Sequence, residues 1–366
     1  MYMYKTELYP STAAQIAWEK MFQNEDGAEQ FREVFPESQT LSMFDFSDVH
    51  KTVLALLPVD IEDVLLKCKW REQVNLQDAW GRTALHWAIL TDDERSVRAL
   101  ITAGASIDIG DNEGNRPLHF AAGRSSIAFL KILLGAGARP RTRNANGAEP
   151  LHFACWQSWI HVQTLIQAGA SVTIQDYRGS SAVEWACWSN RYVTGDLLIR
   201  AGANKNLADH LNGNPPLFSA LTSQAYEFLE MLLSHDVDVL HINKTGSTVL
   251  HWTARCGDVG MLRILRARKS QFKELGIDQK DRLGRTAREV MECTTCTEEF
   301  QCEFVQFLSD LEILQKVGAG LTKGRAYPHR MSRAMVMPGG VRAVILIVFI
   351  SALLLLRLLL PLWSRE

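Results

Sequence analysis

The feature that most constrains this chain is a short motif that returns about every 33 residues. Its first copy, residues 81–88, reads Gly-Arg-Thr-Ala-Leu-His-Trp-Ala, and five related copies follow it. The copies begin at glycines spaced 33, 33, 32, 34 and 33 residues apart, namely Gly81, Gly114, Gly147, Gly179, Gly213 and Gly246. A period this steady predicts one small structural unit stacked on copies of itself.

Each part of the motif has a physical role. An Asp or Asn opens every copy a few residues before the glycine, as Asp78 does before Gly81. Asx side chains cap tight turns, and glycine adopts backbone angles that other residues resist. Thr or Pro then favours the start of a helix whose Leu, aromatic and Ala residues face the core. A second helix closes at an Ala-Gly-Ala sequence, for which a left-handed glycine is suited, at Gly104, Gly137, Gly169 and Gly202.

These motifs resemble the ankyrin repeat family over roughly residues 75 to 291. The resemblance implies an all-α solenoid in which each unit is a turn followed by two short antiparallel helices. It also implies that the recurring histidine hydrogen-bonds backbone and ties neighbouring turns together, at His86, His119, His152 and His251. Glu184 and Phe218 interrupt this histidine pattern, so we expect looser junctions around the fourth and fifth copies.

The rest of the chain divides by composition. Residues 1–46 lack the motif and have helical spacing, which predicts a helical lead-in that covers the array; an independent binding segment is the alternative. Residues 47–75 look like a degenerate capping repeat, because terminal repeats must give up exposed apolar surface. Residues 76–317 hold the repeats, a polar insertion, a half-copy at 281–288 and a closing helix from about Glu298 to Val317.

The C-terminal part changes character. Residues 318–342 are rich in Gly and Pro and carry five basic and no acidic residues, which predicts a flexible basic linker. Residues 343–363 contain a single charge, Arg357, and would span about 31 Å as a helix. This length matches a bilayer core, so we expect one transmembrane helix. A buried helix of the folded domain is the alternative.

The charge distribution orients that span. Basic residues stay on the cytoplasmic side of a membrane, and the linker before the span carries most of them. Only Ser364, Arg365 and Glu366 follow the span. The chain therefore looks like a tail-anchored protein whose repeats face the cytosol, in an organelle that the sequence does not identify.

Composition argues against several other classes. The net charge of −2 does not favour nucleic acid as a partner. The seven cysteines, without a secretory signal, are typical of reduced thiols. Cys293, Cys296 and Cys302 are too few for a structural zinc site, so we expect no metal. We find no phosphate-binding loop or catalytic signature, and we therefore expect no enzyme, no cofactor and no small-molecule substrate.

Tryptophan marks the candidate binding site. Trp87, Trp185 and Trp252 fall at an apolar position of the motif and are interpreted as core residues. Trp156 and Trp188, 32 residues apart, fall at a position that varies in the family and faces its concave groove. Trp159 and Tyr192 lie about one helical turn further on. Exposed aromatic residues are frequent binding anchors, although packing against neighbouring helices remains the other interpretation.

The sequence thus predicts a non-catalytic scaffold that binds a protein partner, displayed on the cytosolic face of a membrane. The alternative is a membrane-tethered regulatory subunit or inhibitor of an enzyme. The two differ in whether the bound partner loses activity.

Overall fold

The structure is a computed structural model that describes residues 47–54, 61–66 and 73–323. The predicted lead-in (residues 1–46) and the predicted membrane span (residues 343–363) lie outside the described residues. The chain divides into two compact units, Met1–Lys316 and Val317–Glu366. Within the described residues, no helix is both long and apolar enough to cross a membrane.

The regular secondary structure of the described part is helical, as expected for an all-α solenoid, apart from one isolated β-bridge between Gln175 and Ser181. Sixteen α-helices follow one another in the described ranges: α1 (Asp48–Val53), α2 (Ile61–Leu66), α3 (Ala84–Leu90), α4 (Glu94–Thr102), α5 (Pro117–Ala122), α6 (Ile127–Gly135), α7 (Pro150–Ala154), α8 (Trp159–Gln167), α9 (Ala182–Trp188), α10 (Tyr192–Arg200), α11 (Pro216–Thr222), α12 (Tyr226–Ser234), α13 (Val249–Cys256), α14 (Val259–Ala267), α15 (Ala287–Glu292) and α16 (Glu298–Lys323). Each odd-numbered helix from α3 to α13 is the inner helix of a repeat, and the even-numbered helix after it is the outer one.

A turn precedes each inner helix from α3 to α15, and we call these turns fingers one to seven. In finger one, Asp78 Oδ1 accepts the backbone N–H groups of Trp80 and Arg82 at 2.9 and 2.8 Å. Gly81 then adopts a φ of 75°, which few other residues tolerate. The same arrangement recurs in the fingers opened by Asp111, Asn144, Asp176, Asp209, Asn243 and Asp281.

Neighbouring fingers are joined by one backbone hydrogen bond at each junction. Between fingers one and two, Asn112 N–H donates to the Trp80 carbonyl at 2.9 Å. Equivalent bonds connect all the following fingers as far as the seventh. Behind the fingers, the inner and outer helices bury a single continuous apolar core that extends from Val49 to Leu311. Each repeat therefore completes the core of the next one, as the period predicts.

Both ends of the array are more repeat-like than the sequence suggested. At the start, His50 is fully buried and its Nε2 lies 3.0 Å from the Arg82 carbonyl, so α1 uses the same tie as the later repeats. At the far end, the predicted half-copy forms a complete finger followed by α15. Glu289 fills the histidine position there and caps α15 with Thr286.

Two sequence predictions near this end need correction. The insertion after α14 is not only polar, because a 3₁₀ turn (Lys269–Phe272) buries Phe272 against Phe307 of α16, with ring centroids 6.2 Å apart. The closing helix begins at Glu298 as expected but continues to Lys323 instead of ending at Val317. Residues 318–323 contain helix formers beside two glycines, and the first proline after them is Pro328.

Candidate partner-binding site

The candidate site is a cluster of aromatic rings on the inner helices of the third and fourth repeats. Trp156 stacks on Trp185 with ring centroids 4.7 Å apart and an interplanar angle of 24°. Phe153 contacts both rings, at 6.3 and 5.5 Å. Trp188 packs against the other side of the group, 6.1 Å from Trp185. We call these four residues the aromatic cluster.

The backbone places each ring of the aromatic cluster. Helix α7 ends at Ala154, and Trp156 lies in the turn that follows, where its N–H donates to the Phe153 carbonyl at 3.2 Å. The carbonyl of Trp156 accepts a hydrogen bond from Arg191 Nε of the next repeat at 3.3 Å. Trp188 is the last residue of α9. The short inner helices therefore bring residues from two repeats onto one surface.

Trp185 joins the two tryptophans that the sequence singled out. Trp185, interpreted from the sequence as a core residue, is buried. Its Nε1 donates a hydrogen bond to Asp176 Oδ2 at 3.3 Å. Trp156 and Trp188 are half-buried and pack against the core rather than standing free of it. Trp156 and Trp188 are thus connected through Trp185. Each of these two rings packs partly against the core and is partly exposed.

Trp159 and Tyr192 occupy a different position from the aromatic cluster. Each is the first residue of an outer helix, α8 and α10 respectively. Their side chains are 45% and 47% exposed. Ile160 and Val193, which follow them, are also exposed. The structure therefore presents an apolar edge at the starts of these two outer helices.

A small cleft borders the aromatic cluster on the finger side. It has a volume of about 70 Å³, and Phe153 and Trp185 form part of its wall. Residues of fingers three and four complete the lining: Asn144, Asn146, Ala148, Asp176, Tyr177 and Arg178. Two rings of the aromatic cluster and the residues of two fingers therefore line one cleft.

Two arginines lie at this cleft, Arg178 in its lining and Arg143 beside Tyr177. The guanidinium of Arg143 lies 6.0 Å from the ring centroid of Tyr177 and 3.9 Å from Glu149 Oε1. Burial raises the pKa of the Glu149 carboxyl, while Arg143 acts in the opposite direction. The rim of the cleft is thus aromatic and positively charged, a combination suited to apolar and acidic groups of a partner.

The recurring histidines stabilise the junctions between repeats. Thr83 N–H donates to Nδ1 of His86 at 3.0 Å, and Nε2 of His86 lies 3.1 Å from the Asn115 carbonyl of the next finger. Burial lowers the pKa of His86 to about 3 and that of His119 to about 4, so both are neutral at pH 7. A neutral ring that accepts at Nδ1 carries its proton at Nε2 and can donate there.

The other recurring histidines follow the same scheme, with one variation. Nε2 of His119 lies 3.2 Å from the Ala148 carbonyl, and Nε2 of His251 lies 3.1 Å from the Arg285 carbonyl. His152 accepts the Glu149 N–H at Nδ1, but contrary to the expectation from the sequence its Nε2 makes no hydrogen bond to the next finger. Its ring packs edge-on against Trp185 instead, with ring centroids 5.4 Å apart. These residues connect repeats and lie away from any open surface.

The junctions that lack the histidine are bridged in other ways. Glu184 fills the histidine position of the fourth repeat and accepts a hydrogen bond from Ser219 of the fifth. Beyond it, His241 Nε2 lies 2.8 Å from the Gly213 carbonyl, and Phe218 packs against Trp252. The finger-to-finger bonds persist here too. The residues that replace histidine, and their neighbours, therefore make other contacts across these junctions, where we expected looser packing.

Glu184 is the most unusual ionisable group of these junctions. Burial raises the pKa of its carboxyl to about 8, and the neighbouring carboxylates of Asp209 and Asp176 act in the same direction. In the sequence, Glu184 is visible only as a residue that replaces the recurring histidine. Its chemistry depends on Ser219, which lies 35 residues further along the chain and could be found only by aligning the repeats.

Groups that could carry chemistry are scattered in the described residues. No cluster of three or more His, Cys, Asp or Glu side chains there could hold a metal ion. Cys155 and Cys187 are buried and burial raises the pKa of both thiols. Cys293 and Cys302 are exposed, and Cys296 is half-buried. The buried groups with shifted pKa values, such as Glu184 and His86, lie in the junctions between repeats and make structural hydrogen bonds there.

Comparison with known proteins agrees with this architecture. Three overlapping stretches, residues 50–144, 124–209 and 193–281, match the sequence family described as ankyrin repeats in three copies. Together they cover more than half of the chain. This chain belongs to the ankyrin repeat family.

Individual ankyrin repeat proteins are more distant. One from Fowlpox virus (strain NVSL) is 44% identical over 54 residues, which are 15% of this chain and 9% of the viral protein. The crystal structure of the human ASB11 ankyrin repeat domain is 22% identical, with a TM-score of 0.54, over 62% of this chain and 98% of that domain. The ankyrin repeat domain of Bcl-3 is 23% identical, with a TM-score of 0.51, over 62% of this chain and 99% of that domain. These likenesses establish the fold of the array.

Proposed function

We propose that this ankyrin repeat protein is a non-catalytic scaffold that binds a protein partner through the aromatic cluster and the cleft beside it. The single observation that carries the proposal is that Trp156 and Trp188 are half-buried and that both pack on the buried Trp185. Aromatic side chains that keep one face available are enriched among residues that dominate binding energy. The exposed Trp159 and Tyr192 extend the apolar surface beyond the cluster.

The chemistry of the described residues supports a binding role over catalysis. The ionisable groups with shifted pKa values, such as Glu184 and His86, are buried between repeats and hydrogen-bonded there. The cleft offers rings, amides and guanidinium groups, which recognise a partner surface. A regulator or inhibitor of an enzyme would use the same surface, and an activity assay of the bound partner separates the two roles.

We further propose that residues 343–363 hold the array at the cytosolic face of a membrane. The support is the composition of this stretch, which has one charged residue in 21 and follows a basic Gly- and Pro-rich segment. Apolar side chains favour insertion by roughly 0.3 to 0.6 kcal/mol each, whereas one arginine opposes it by about 3 kcal/mol at most. Arg357 lies off-centre, where its side chain can extend toward the interface.

Proximity labelling with the full-length chain in cells tests the binding proposal. Trp159→Ala with Tyr192→Ala removes two exposed aromatic side chains that serve little packing, so folding should persist. The matched control is Leu76→Ala, whose side chain is equally exposed on finger one. We expect proteins labelled by the wild type and by the control to be lost from the double variant. Identical labelling by all three chains would contradict a binding surface at this position.

A further inference from the structure

The three most exposed large apolar side chains of the described residues lie at the tips of fingers four, five and seven. Tyr177 of finger four is 64% exposed, Leu211 of finger five 67%, and Leu283 of finger seven 74%. At finger six the tip carries Thr245, and the half-exposed Ile242 lies beside it. Side chains this exposed contribute little to the fold, and an apolar patch rimmed by polar groups is typical of an interaction site.

A basic or imidazole side chain accompanies the tip residues of each of these fingers. Arg178 follows Tyr177, and His210 precedes Leu211. Lys244 and Arg282 occupy the same position in fingers six and seven, and both are exposed. We call these tip residues of fingers four to seven the tip strip: Tyr177, Arg178, His210, Leu211, Lys244, Thr245, Arg282 and Leu283.

Carboxylates of these four described fingers are turned away from the tips. Asp176 Oδ1 accepts two backbone N–H groups of its own turn, at 3.0 and 2.8 Å. Asp209 does the same at 2.6 and 3.1 Å. Asp281 accepts two backbone N–H groups and the guanidinium of Arg285. These acids therefore do not pair with the charged groups of Lys244 and Arg282 at the tips.

The first three fingers lack this combination. Their tips carry Ala79 and Trp80, then Asn112 and Glu113, then Ala145 and Asn146. The charge and the exposed apolar groups are thus confined to one half of the array. A general requirement for solubility would have distributed them over all seven fingers.

Backbone hydrogen bonds hold the tip strip in a fixed row. His210 N–H donates to the Arg178 carbonyl at 2.8 Å, and Lys244 N–H donates to the Asn212 carbonyl at 2.9 Å. Arg282 N–H donates to the Thr245 carbonyl at 2.9 Å. Because adjacent fingers are fixed to each other, a ligand that lies along them meets a preorganised surface.

We propose that the tip strip binds an extended acidic peptide segment of the protein partner, in which Asp or Glu alternates with aliphatic residues. The inference rests on the proposed scaffold function and adds the chemistry of the partner. Stacked helical layers lie about 10 Å apart, and an extended peptide advances roughly 3.3 Å per residue. About one residue in three would therefore meet each finger, with carboxylates on Lys244 and Arg282 and aliphatic groups on Leu211 and Leu283.

Synthetic peptides of on the order of ten residues test the proposal against the full-length chain in detergent micelles. The probe peptide repeats a Glu-Leu-Ser unit, and the reference peptides carry Lys in place of Glu or Ser in place of Leu. Fluorescence anisotropy should show binding of the probe alone, and this binding should weaken as salt rises because the charges are exposed. Lys244→Glu with Arg282→Glu should weaken it at least tenfold.

Matched variants make the test specific. Lys131→Glu with Lys273→Glu reverses two exposed charges away from the fingers, and it should leave the affinity for the probe unchanged. Leu211→Ser with Leu283→Ser should lower the affinity without changing the net charge. All of these positions are exposed, so thermal unfolding should confirm that each variant is folded.

Three results would overturn the proposal. One is equal binding of the probe to the wild type and to the Lys244/Arg282 variant, and another is no binding of the probe to the wild type. The third is tighter binding of the wild type to phosphatidylserine vesicles than to the probe, with this binding also lost in the Lys244/Arg282 variant. That result would mean that the tip strip binds lipid headgroups. Proximity labelling with the Trp159/Tyr192 variant tests the scaffold function separately, so either idea can fail alone.

Discussion

Ser219 donates a hydrogen bond of 2.7 Å from its Oγ to Oε1 of Glu184, across the junction between the fourth and fifth repeats. The carboxyl is buried, and its pKa is raised to about 8. Glu184 is therefore protonated in the folded protein at neutral pH but ionised in the unfolded chain. This junction therefore contains a protonated carboxyl, whereas the junctions that contain the recurring histidine are formed by neutral imidazole rings.

The contribution of Glu184 to the stability of the array should consequently fall as the pH rises. A carboxyl whose folded pKa lies above its unfolded value stabilises the fold below the unfolded pKa, and this contribution is lost as the pH rises from about 4.5 to about 8. Glu184→Gln keeps an oxygen for Ser219 but cannot ionise. We expect the variant to be more stable than the wild type above pH 8, by an amount of the order of a few kcal/mol.

Denaturant unfolding at several pH values measures this effect. The histidines act on both proteins alike, so the stability of the Glu184→Gln variant relative to the wild type should rise between about pH 5 and pH 8. Parallel pH profiles for the two proteins would show that the carboxyl is already ionised in the folded state.

The buried histidines predict an opposite trend at low pH. The pKa of His86 falls from an ordinary 6.5 to about 3 in the folded state, so the unfolded chain binds the extra proton between these values. Stability from this group is present above pH 6.5 and is lost as the pH falls toward 3. His86→Gln should flatten the acid side of the stability profile and weaken the fold at pH 7, as urea titrations would reveal. An unchanged acid slope would mean that His86 is accessible to protons in the native state.

Gly147 provides a test of the finger conformation. Its φ is 77°, and a Cβ built there would lie 2.7 Å from Cδ1 of Tyr177. Gly147→Val should destabilise the array by roughly 1 to 3 kcal/mol because a β-branched residue resists this backbone region. Gly135→Ala is the control, since it lies at the end of α6 with open space around it and no positive φ. Calorimetry should show a lower melting temperature for the valine variant only.

The aromatic residues should separate into packing and surface groups. Trp185→Ala removes the ring on which Trp156 and Trp188 pack and should cost about 3 to 5 kcal/mol of stability. Trp159→Ala changes an exposed side chain and should alter stability by less than about 0.5 kcal/mol. Chemical denaturation of both variants checks the contrast. Comparable losses in the two proteins would move Trp159 into the packing group.

Deleting residues 341–366 should release the protein from membranes. The apolar stretch that we expect to insert lies within this deletion, whereas the core of the repeats ends at Leu311. Fractionation in high salt should place the full chain in the membrane pellet and the shortened chain in the supernatant, with unchanged melting of the repeats. A shortened chain that still pelleted would locate the membrane affinity elsewhere.

The period of the motif was sufficient to predict the array, because each copy contains its own turn, helices and core positions. Gly81 and its equivalents could be assigned to tight turns from one sequence, since few other residues accept that conformation. Other contacts join residues more than 30 positions apart, as in His50 with Arg82 and Glu184 with Ser219. The partners of these residues depend on how adjacent repeats stack. A residue that departs from the motif, such as Glu184, shows that the contact differs but not which residue makes it.

The candidate site was predicted in part for a related reason. Trp156 and Trp188 were located by their equivalent positions, but a one-dimensional pattern does not reveal which ring lies between them. Trp185 belongs to the core by its period and to the surface cluster by its neighbours. Phe120 and Trp252 occupy the same position of the motif as Trp185, but they are only half-buried. Burial at these positions is decided by the adjacent repeat, and adjacent repeats are not identical.

The junction between Glu184 and Ser219 also determines how the protein should break. In a stacked array, each repeat depends on its immediate neighbours, so one weakened interface can separate two folded halves. In alkaline solution that interface carries a buried negative charge. A protease should then cut the array first near finger five, at the exposed His210 and Leu211, leaving two fragments that each retain helical structure.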